Sequence, residues 1–182
     1  YAEGADPTRL ANFNTLLKDT VQKEIASFRK GVQVNAPIQP VSAGSTFDLT
    51  YTVIGQALDY WSIKYDISFY FDGAAHPGHY NMNINYDLDR DRPLTLDELF
   101  LPGSNYLQVI ADYCKAELTK RDIAFESFST GADPLPENYL HWNMSNEGLV
   151  ITFDEYQVAP YAAGPQVVVI PFSALQSVSP PQ

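Results

Sequence analysis

Residues 60–71 read YWSIKYDISFYF, and the alternation in that run decides the fold. Trp61, Ile63, Tyr65, Ile67, Phe69 and Phe71 fall on one side, while Ser62, Lys64, Asp66 and Ser68 fall on the other. A period of two with one apolar and one polar face is the pattern of a half-buried antiparallel strand. Residues 79–88 repeat it, with Tyr80, Met82, Ile84, Tyr86 and Leu88 opposed to asparagines and Asp87. The link between the two is DGAAHPG, residues 72–78. Upstream, residues 46–54, TFDLTYTVI, have the same strand character.

An apolar sheet face needs a covering layer. The chain supplies one at its start. Asp6 can cap free N–H groups and Pro7 suits a first helical position. Leu10, Phe13, Leu17, Val21, Ile25 and Phe28 then recur at spacings of three and four. This predicts one long amphipathic helix over residues 7–30, with Gly31 as its stop.

Downstream, Thr95 and Glu98 have the spacing of a capping box and open a short helix ending at Phe100. Pro102-Gly103 breaks the chain, and Ser104 is the expected cap of a second helix. Its stripe is Tyr106, Leu107, Ile110, Tyr113, Cys114 and Leu118. Cys114 thereby reads as a buried apolar residue rather than a nucleophile. Residues 139–144 and 149–153 form a predicted hairpin turning at Gly148, residues 166–171 a last strand, and Ser179 to Gln182 a tail. The expected architecture is α+β: an antiparallel sheet of about five to six strands, packed against one long N-terminal helix and a mid-chain helix pair.

The 182 residues carry 45% hydrophobic and 18% charged side chains, which suits a globular chain. A core of this size buries roughly 70% of the unfolded surface, so one domain over residues 1–182 is expected without a disulfide or metal. The net charge of -11 opposes nucleic acid and anionic membrane surfaces and favours a basic partner. A lone cysteine excludes an internal disulfide. No apolar run approaches the roughly 20 residues of a membrane span, and the basic-then-apolar pattern of a signal peptide is not read in these residues. Tyr at position 1 is read as the mark of a processed product, which leaves room for a signal or anchor upstream.

Several residues invite a chemical role. His76 and His79 stand three apart with Asp72 near, but the ligand count is short and no metal is expected. Asp154 and Glu155 would be half of a paired-carboxylate hydrolase site if Asp72 or Glu137 stood opposite, yet nothing in the sequence sets that separation. No nucleophile elbow, P-loop or dinucleotide fingerprint occurs. Catalysis and cofactors are therefore not expected. Tyr156 and Tyr161 lie in the loop DEYQVAPYAAGP, residues 154–165, where strand packing explains them less well. Rigid aromatic rings anchor protein interfaces and carbohydrate contacts alike. The candidate binding residues are Tyr156, Tyr161, Asp154, Glu155, His76 and Tyr80.

Four segments carry a family resemblance: Ala11-Asn12-Phe13-Asn14; FDGAAHPGHY (71–80) with NYDLD (85–89); LTLDELFLPGSNYL (94–107); and FDEYQVAPYAAGPQVVVIPFSAL (153–175). Together they resemble the extracytoplasmic domain of RsiV-type anti-sigma factors, a module that also precedes peptidoglycan deacetylase domains. Where the family pattern reads Gly-Gly-Ala-His, this chain has Gly73-Ala74-Ala75-His76. The resemblance implies a bacterial, extracytoplasmic, non-catalytic binding domain, secreted, lipid-anchored or held at the outer face of the membrane. Its implied partner is lysozyme or a similar basic protein of the cell envelope. The alternative is a peptidoglycan-binding accessory module. The family's lysozyme-contacting residues form no motif that can be matched here.

Overall fold

The computed structural model describes residues 6–35, 44–56 and 59–180; Pro181 and Gln182 of the expected tail lie outside them. The first helix, α1, runs Pro7–Val34, with the Asp6 carboxylate accepting from the backbone N–H groups of Thr8 and Arg9. It does not stop at Gly31. The helix continues to Val34, and Asn35 closes it by donating to the Gly31 carbonyl through both its backbone and its side chain, at 2.9 and 2.8 Å. Gly31 has another purpose: a Cβ there would stand 2.6 Å from the ring of Phe71. The glycine lets the helix settle onto an aromatic side chain that any other residue would push away.

Strands β1 (Thr46–Gln56), β2 (Tyr60–Tyr70), β3 (Gly78–Asp87) and the two-residue β4 (Arg92–Pro93) form an antiparallel sheet in chain order. Register follows the alternation: Ile63 faces Ile84, Tyr65 faces Met82 and Ile67 faces Tyr80. The apolar face packs under α1, where Phe13, Ile63, Tyr65, Ile67, Tyr86 and Leu88 make one core.

The second half builds another. After a 3-10 turn at Leu96–Leu99 comes α2 (Tyr106–Thr119), then two further 3-10 segments. The capping box is present in part. Glu98 reaches back to the Thr95 backbone N–H at 3.0 Å, and Arg92 pairs with the same carboxylate. Ser104 is not the cap of α2: Asn105 occupies that position, and the Ser104 hydroxyl is buried with no partner among the described residues. Strands β5 (Trp142–Met144), β6 (Gly148–Phe153) and β7 (Gln166–Pro171) form a three-stranded antiparallel sheet, followed by the one-turn α3 (Phe172–Leu175). β5 starts three residues later than expected, because Tyr139 ends a 3-10 turn and its hydroxyl donates to the Ala132 carbonyl at 2.7 Å. α2 packs Ile110, Cys114 and Leu118 against β6 and β7. Cys114 is fully buried, and burial pushes its thiol up to about 12.

The class is therefore α+β, but the strands divide into sheets of four and three rather than one of five to six. The physical reason lies at β5. Its outward backbone groups meet side chains instead of another strand: Met144 N–H donates to Ser62 Oγ at 3.0 Å, and the Trp142 carbonyl accepts from Asn85 Nδ2 at 2.8 Å. Edge groups satisfied this way cannot continue a ladder. No helix among the described residues is long and apolar enough to cross a membrane.

Candidate functional site

The polar face of β2 and β3 is not simply a solvated side. Along half its length it meets the second sheet through hydrogen bonds. Ser62 Oγ donates to Asn85 Oδ1 at 2.6 Å and accepts from Asn143 Nδ2 at 2.8 Å. Asn83 donates to Asn143 Oδ1, and Asn81 Nδ2 donates to Asp154 Oδ1 at 2.8 Å. Ser62 and Asn143 are fully buried. Buried polar groups tolerate such a place only when paired, so the amides fix one sheet against the other.

Beyond Asn81 the seam opens into a groove of about 610 Å³. Its floor is the remaining polar face. Asp48, Ser68 and His79 stand in one row across β1, β2 and β3, and Thr50, Asp66 and Asn81 in the next. Its far wall is the loop 154–165, which contributes Glu155 and Tyr161. That loop is clamped. Gln157 Oε1 accepts from the Asp154 backbone N–H at 3.2 Å, and its Nε2 donates to the carbonyls of Gly131 and Asn138 at 3.0 and 2.9 Å. Val158 and Ala159 are buried. Gln166, at the loop's far end, accepts from Arg121 and donates to the Ala163 carbonyl, at 2.9 Å in each case. Gly131 must be glycine, since a Cβ there would lie 1.8 Å from the Gln157 carbonyl oxygen.

The clamp leaves two rings outside. Tyr156 takes a left-handed backbone angle, φ 66°, and its ring lies 5.5 Å from that of Tyr161. Tyr161 in turn lies 5.9 Å from the His76 ring. Three sequence candidates thus meet in one aromatic cluster, of which Tyr161 lines the groove; Tyr156 is 66% and Tyr161 39% exposed. The remaining candidates have other surroundings. Asp154 belongs to the seam: burial pushes its carboxyl up, but hydrogen bonds from His141 and Asn81, and the nearby charges of His141 and Lys64, hold it below the ordinary carboxylate value. His141 Nε2 is 3.1 Å from its Oδ2. Tyr80 borders the groove by its position, but its hydroxyl donates to Glu24 of α1 at 2.5 Å, and burial together with that carboxylate pushes the phenol up. Among the described residues no three His, Cys, Asp or Glu side chains gather as metal ligands.

Asp48, Asp66 and Ser68 escaped sequence reading as site residues, and His79 was weighed only as a metal ligand. The signal was available in the polar half of the β2 and β3 alternation, but only the register brings β1 beside it. Asp66 pairs with Lys64 at 2.7 Å, while Asp48 and Glu155 make no ion pair among the described residues. An open groove with a ring pair at its edge and carboxylates, a hydroxyl and an amide on its floor can stack an apolar ligand face and accept hydrogen bonds from a polyhydroxyl one.

Residues 97–173 match the family described as "Protein of unknown function (DUF3298)". That stretch takes in most of the segment 94–107 and of the segment 153–175. Over 181 residues the chain is 24% identical to the Peptidoglycan-N-acetylmuramic acid deacetylase PdaC of Bacillus subtilis (strain 168), covering 98% of this chain and 38% of that protein. It is 31% identical over 106 residues to an esterase of Mycobacterium tuberculosis (strain ATCC 25618 / H37Rv), covering 57% of this chain and 45% of that protein. The chain thus spans less than half the length of either curated relative. Its fold resembles the crystal structure of a DUF3298 family member from Bacteroides fragilis NCTC 9343, with a TM-score of 0.63 and 18% identity, over 98% of this chain and 71% of the other.

Proposed function

We propose that this chain is a non-catalytic, extracytoplasmic binding domain of the bacterial cell envelope, and that its groove takes a glycan of the peptidoglycan type. The observation that carries the reading is the Tyr156–Tyr161 ring pair at the edge of a groove floored by carboxylate, hydroxyl and amide groups. Flat rings present their faces to the apolar side of a sugar, while polar side chains answer its hydroxyls. The similarity to a peptidoglycan deacetylase over nearly the whole of this chain supports the same ligand class. Asp154, one of the two acids weighed for a hydrolase site, is engaged by Asn81 and His141 in the seam.

A second reading is a sensor or inhibitor-like domain for a basic envelope protein such as lysozyme, in the manner of RsiV-type domains. The net charge of -11 favours it, because opposite charge steers encounter. Calorimetric titration with soluble peptidoglycan fragments and with a panel of lysozymes separates the two. Saturable heat with the glycan, abolished in Tyr161→Ala while the fold is retained, is the expected result. Heat with lysozyme alone, slowed in association as salt rises, promotes the second reading. Unaltered glycan binding by Tyr161→Ala overturns the groove assignment.

A further inference from the structure

The first half of α1 does not lie centrally on its sheet. It is tethered toward the turn after β3: Arg9 Nη1 donates to Asp89 Oδ1 at 3.1 Å, and Asn12 Nδ2 to Asp91 Oδ2 at 2.6 Å. Phe13 accordingly packs on Tyr86 and Trp61, with ring centroids 4.8 and 5.8 Å away. Among the described residues, the β1 side of the same face is left partly open. A groove of about 640 Å³ runs there, walled by Leu17 and Val21 of α1, Leu49 and Val53 of β1, and Trp61 and Ile63 of β2. Tyr51 and Val53 are 66% and 41% exposed as a result. A volume of that size is within the roughly 300–1,000 Å³ typical of small-molecule sites, which are mostly apolar with a few placed polar groups.

The polar side chains at the groove include Asn14, Gln22 and Tyr51, and its one charged side chain among the described residues is Lys18. Lys18, on α1, borders the groove and forms no ion pair among the described residues. An apolar slot beside an unpaired cation is complementary to an apolar chain ending in an anionic oxygen group.

We propose that this groove binds a single-chain anionic amphiphile, its acyl chain along the Leu17, Val21, Leu49 and Val53 wall and its carboxylate or phosphate on Lys18. The site is independent of the glycan groove, because Leu49 and Ile63 point to the α1 face of the sheet whereas Asp48 and Asp66 point to the opposite one. The two readings therefore stand or fall separately.

The chain carries its own reporter. Trp61 lines the groove, and Trp142 is buried in the other core. Sodium laurate, lysophosphatidic acid and dodecanol, each below its micellar concentration, should be titrated against tryptophan emission. Laurate or lysophosphatidic acid should give a saturable change, absent from Trp61→Phe, and comparison of the two acids tells a free fatty acid from a phospholipid-type head. Val53→Asp, at a part-exposed position, should abolish binding of both acids. Lys18→Glu should weaken the acids by about threefold to tenfold and leave dodecanol unchanged, as a lost surface ion pair would. No saturable change with either acid overturns the proposal, as does undiminished binding by Val53→Asp. An equal loss of dodecanol affinity in Lys18→Glu overturns the role of the lysine.

Discussion

Ser62 of β2 and Asn143 of β5, 81 residues apart in the chain, share a hydrogen bond of 2.8 Å with no solvent access to either side chain. The same hydroxyl donates to Asn85 and accepts from the Met144 N–H, so one serine joins three strands. Each half of the molecule has its own apolar core, and this polar seam is what registers one against the other.

Ser62→Ala removes the acceptor of two buried donors, and a buried group left unpaired costs about 1–3 kcal/mol. The urea midpoint should fall by the corresponding amount with little change of slope. A double-mutant cycle with Asn143→Ala should show a coupling of about 0.5–3 kcal/mol. Additive losses would mean that the two side chains do not act together.

Gly164 tests the loop clamp. Its φ of 64° and ψ of -174° lie in a region that is essentially reserved for glycine, and a Cβ there meets no heavy atom within 4 Å. Gly164→Ala therefore isolates backbone strain from steric clash and should cost about 1–3 kcal/mol. Gly131→Ala should be worse, because its Cβ would overlap the Gln157 carbonyl. Thermal melting of the two variants checks the order; a harmless Gly164→Ala would show that the loop relaxes freely.

The acid limb of stability should involve Glu98 and Asp154. Hydrogen bonds from the Arg92 guanidinium and the Thr95 backbone hold Glu98 down to about 2. Asp154 is also held below the ordinary carboxylate value, its seam partners outweighing burial. Both folded-state values are depressed. Each group's contribution is therefore present above the unfolded carboxylate pKa of roughly 4, and is lost as pH falls through the depressed value. Denaturation midpoints followed from pH 6 to pH 2 should drop, and Glu98→Gln combined with Asp154→Asn should flatten that drop. An equal slope in wild type and double variant would assign the acid limb to other carboxylates.

The strands and helices were legible because hydrophobic periodicity is local. β2 and β3 could be placed within a residue from the alternation of Ile63, Tyr65 and Ile67 against Ser62, Lys64 and Asp66. The division into two sheets was not legible, because it turns on Ser62 and Asn85 capping the backbone of Trp142 and Met144, a contact between residues more than 50 positions apart. Gly31 misled for a related reason: the signature of a helix stop and that of a close approach to Phe71 are the same residue. At the groove, Tyr156, Tyr161 and Glu155 stood out by falling in a long loop. Asp48 did not, and His79 drew notice only beside His76, since nothing local reveals that both share a row with Ser68.

The lone thiol of Cys114, sealed between α2 and the second sheet, makes the molecule its own clock. A water-soluble disulfide reagent cannot reach it, and its raised pKa leaves almost no thiolate to react near neutral pH. Labelling then occurs only when that half of the molecule opens. The rate of colour release under native conditions counts those openings, and comparison with the global unfolding free energy tells whether the α2 half breathes alone or only with the α1 half.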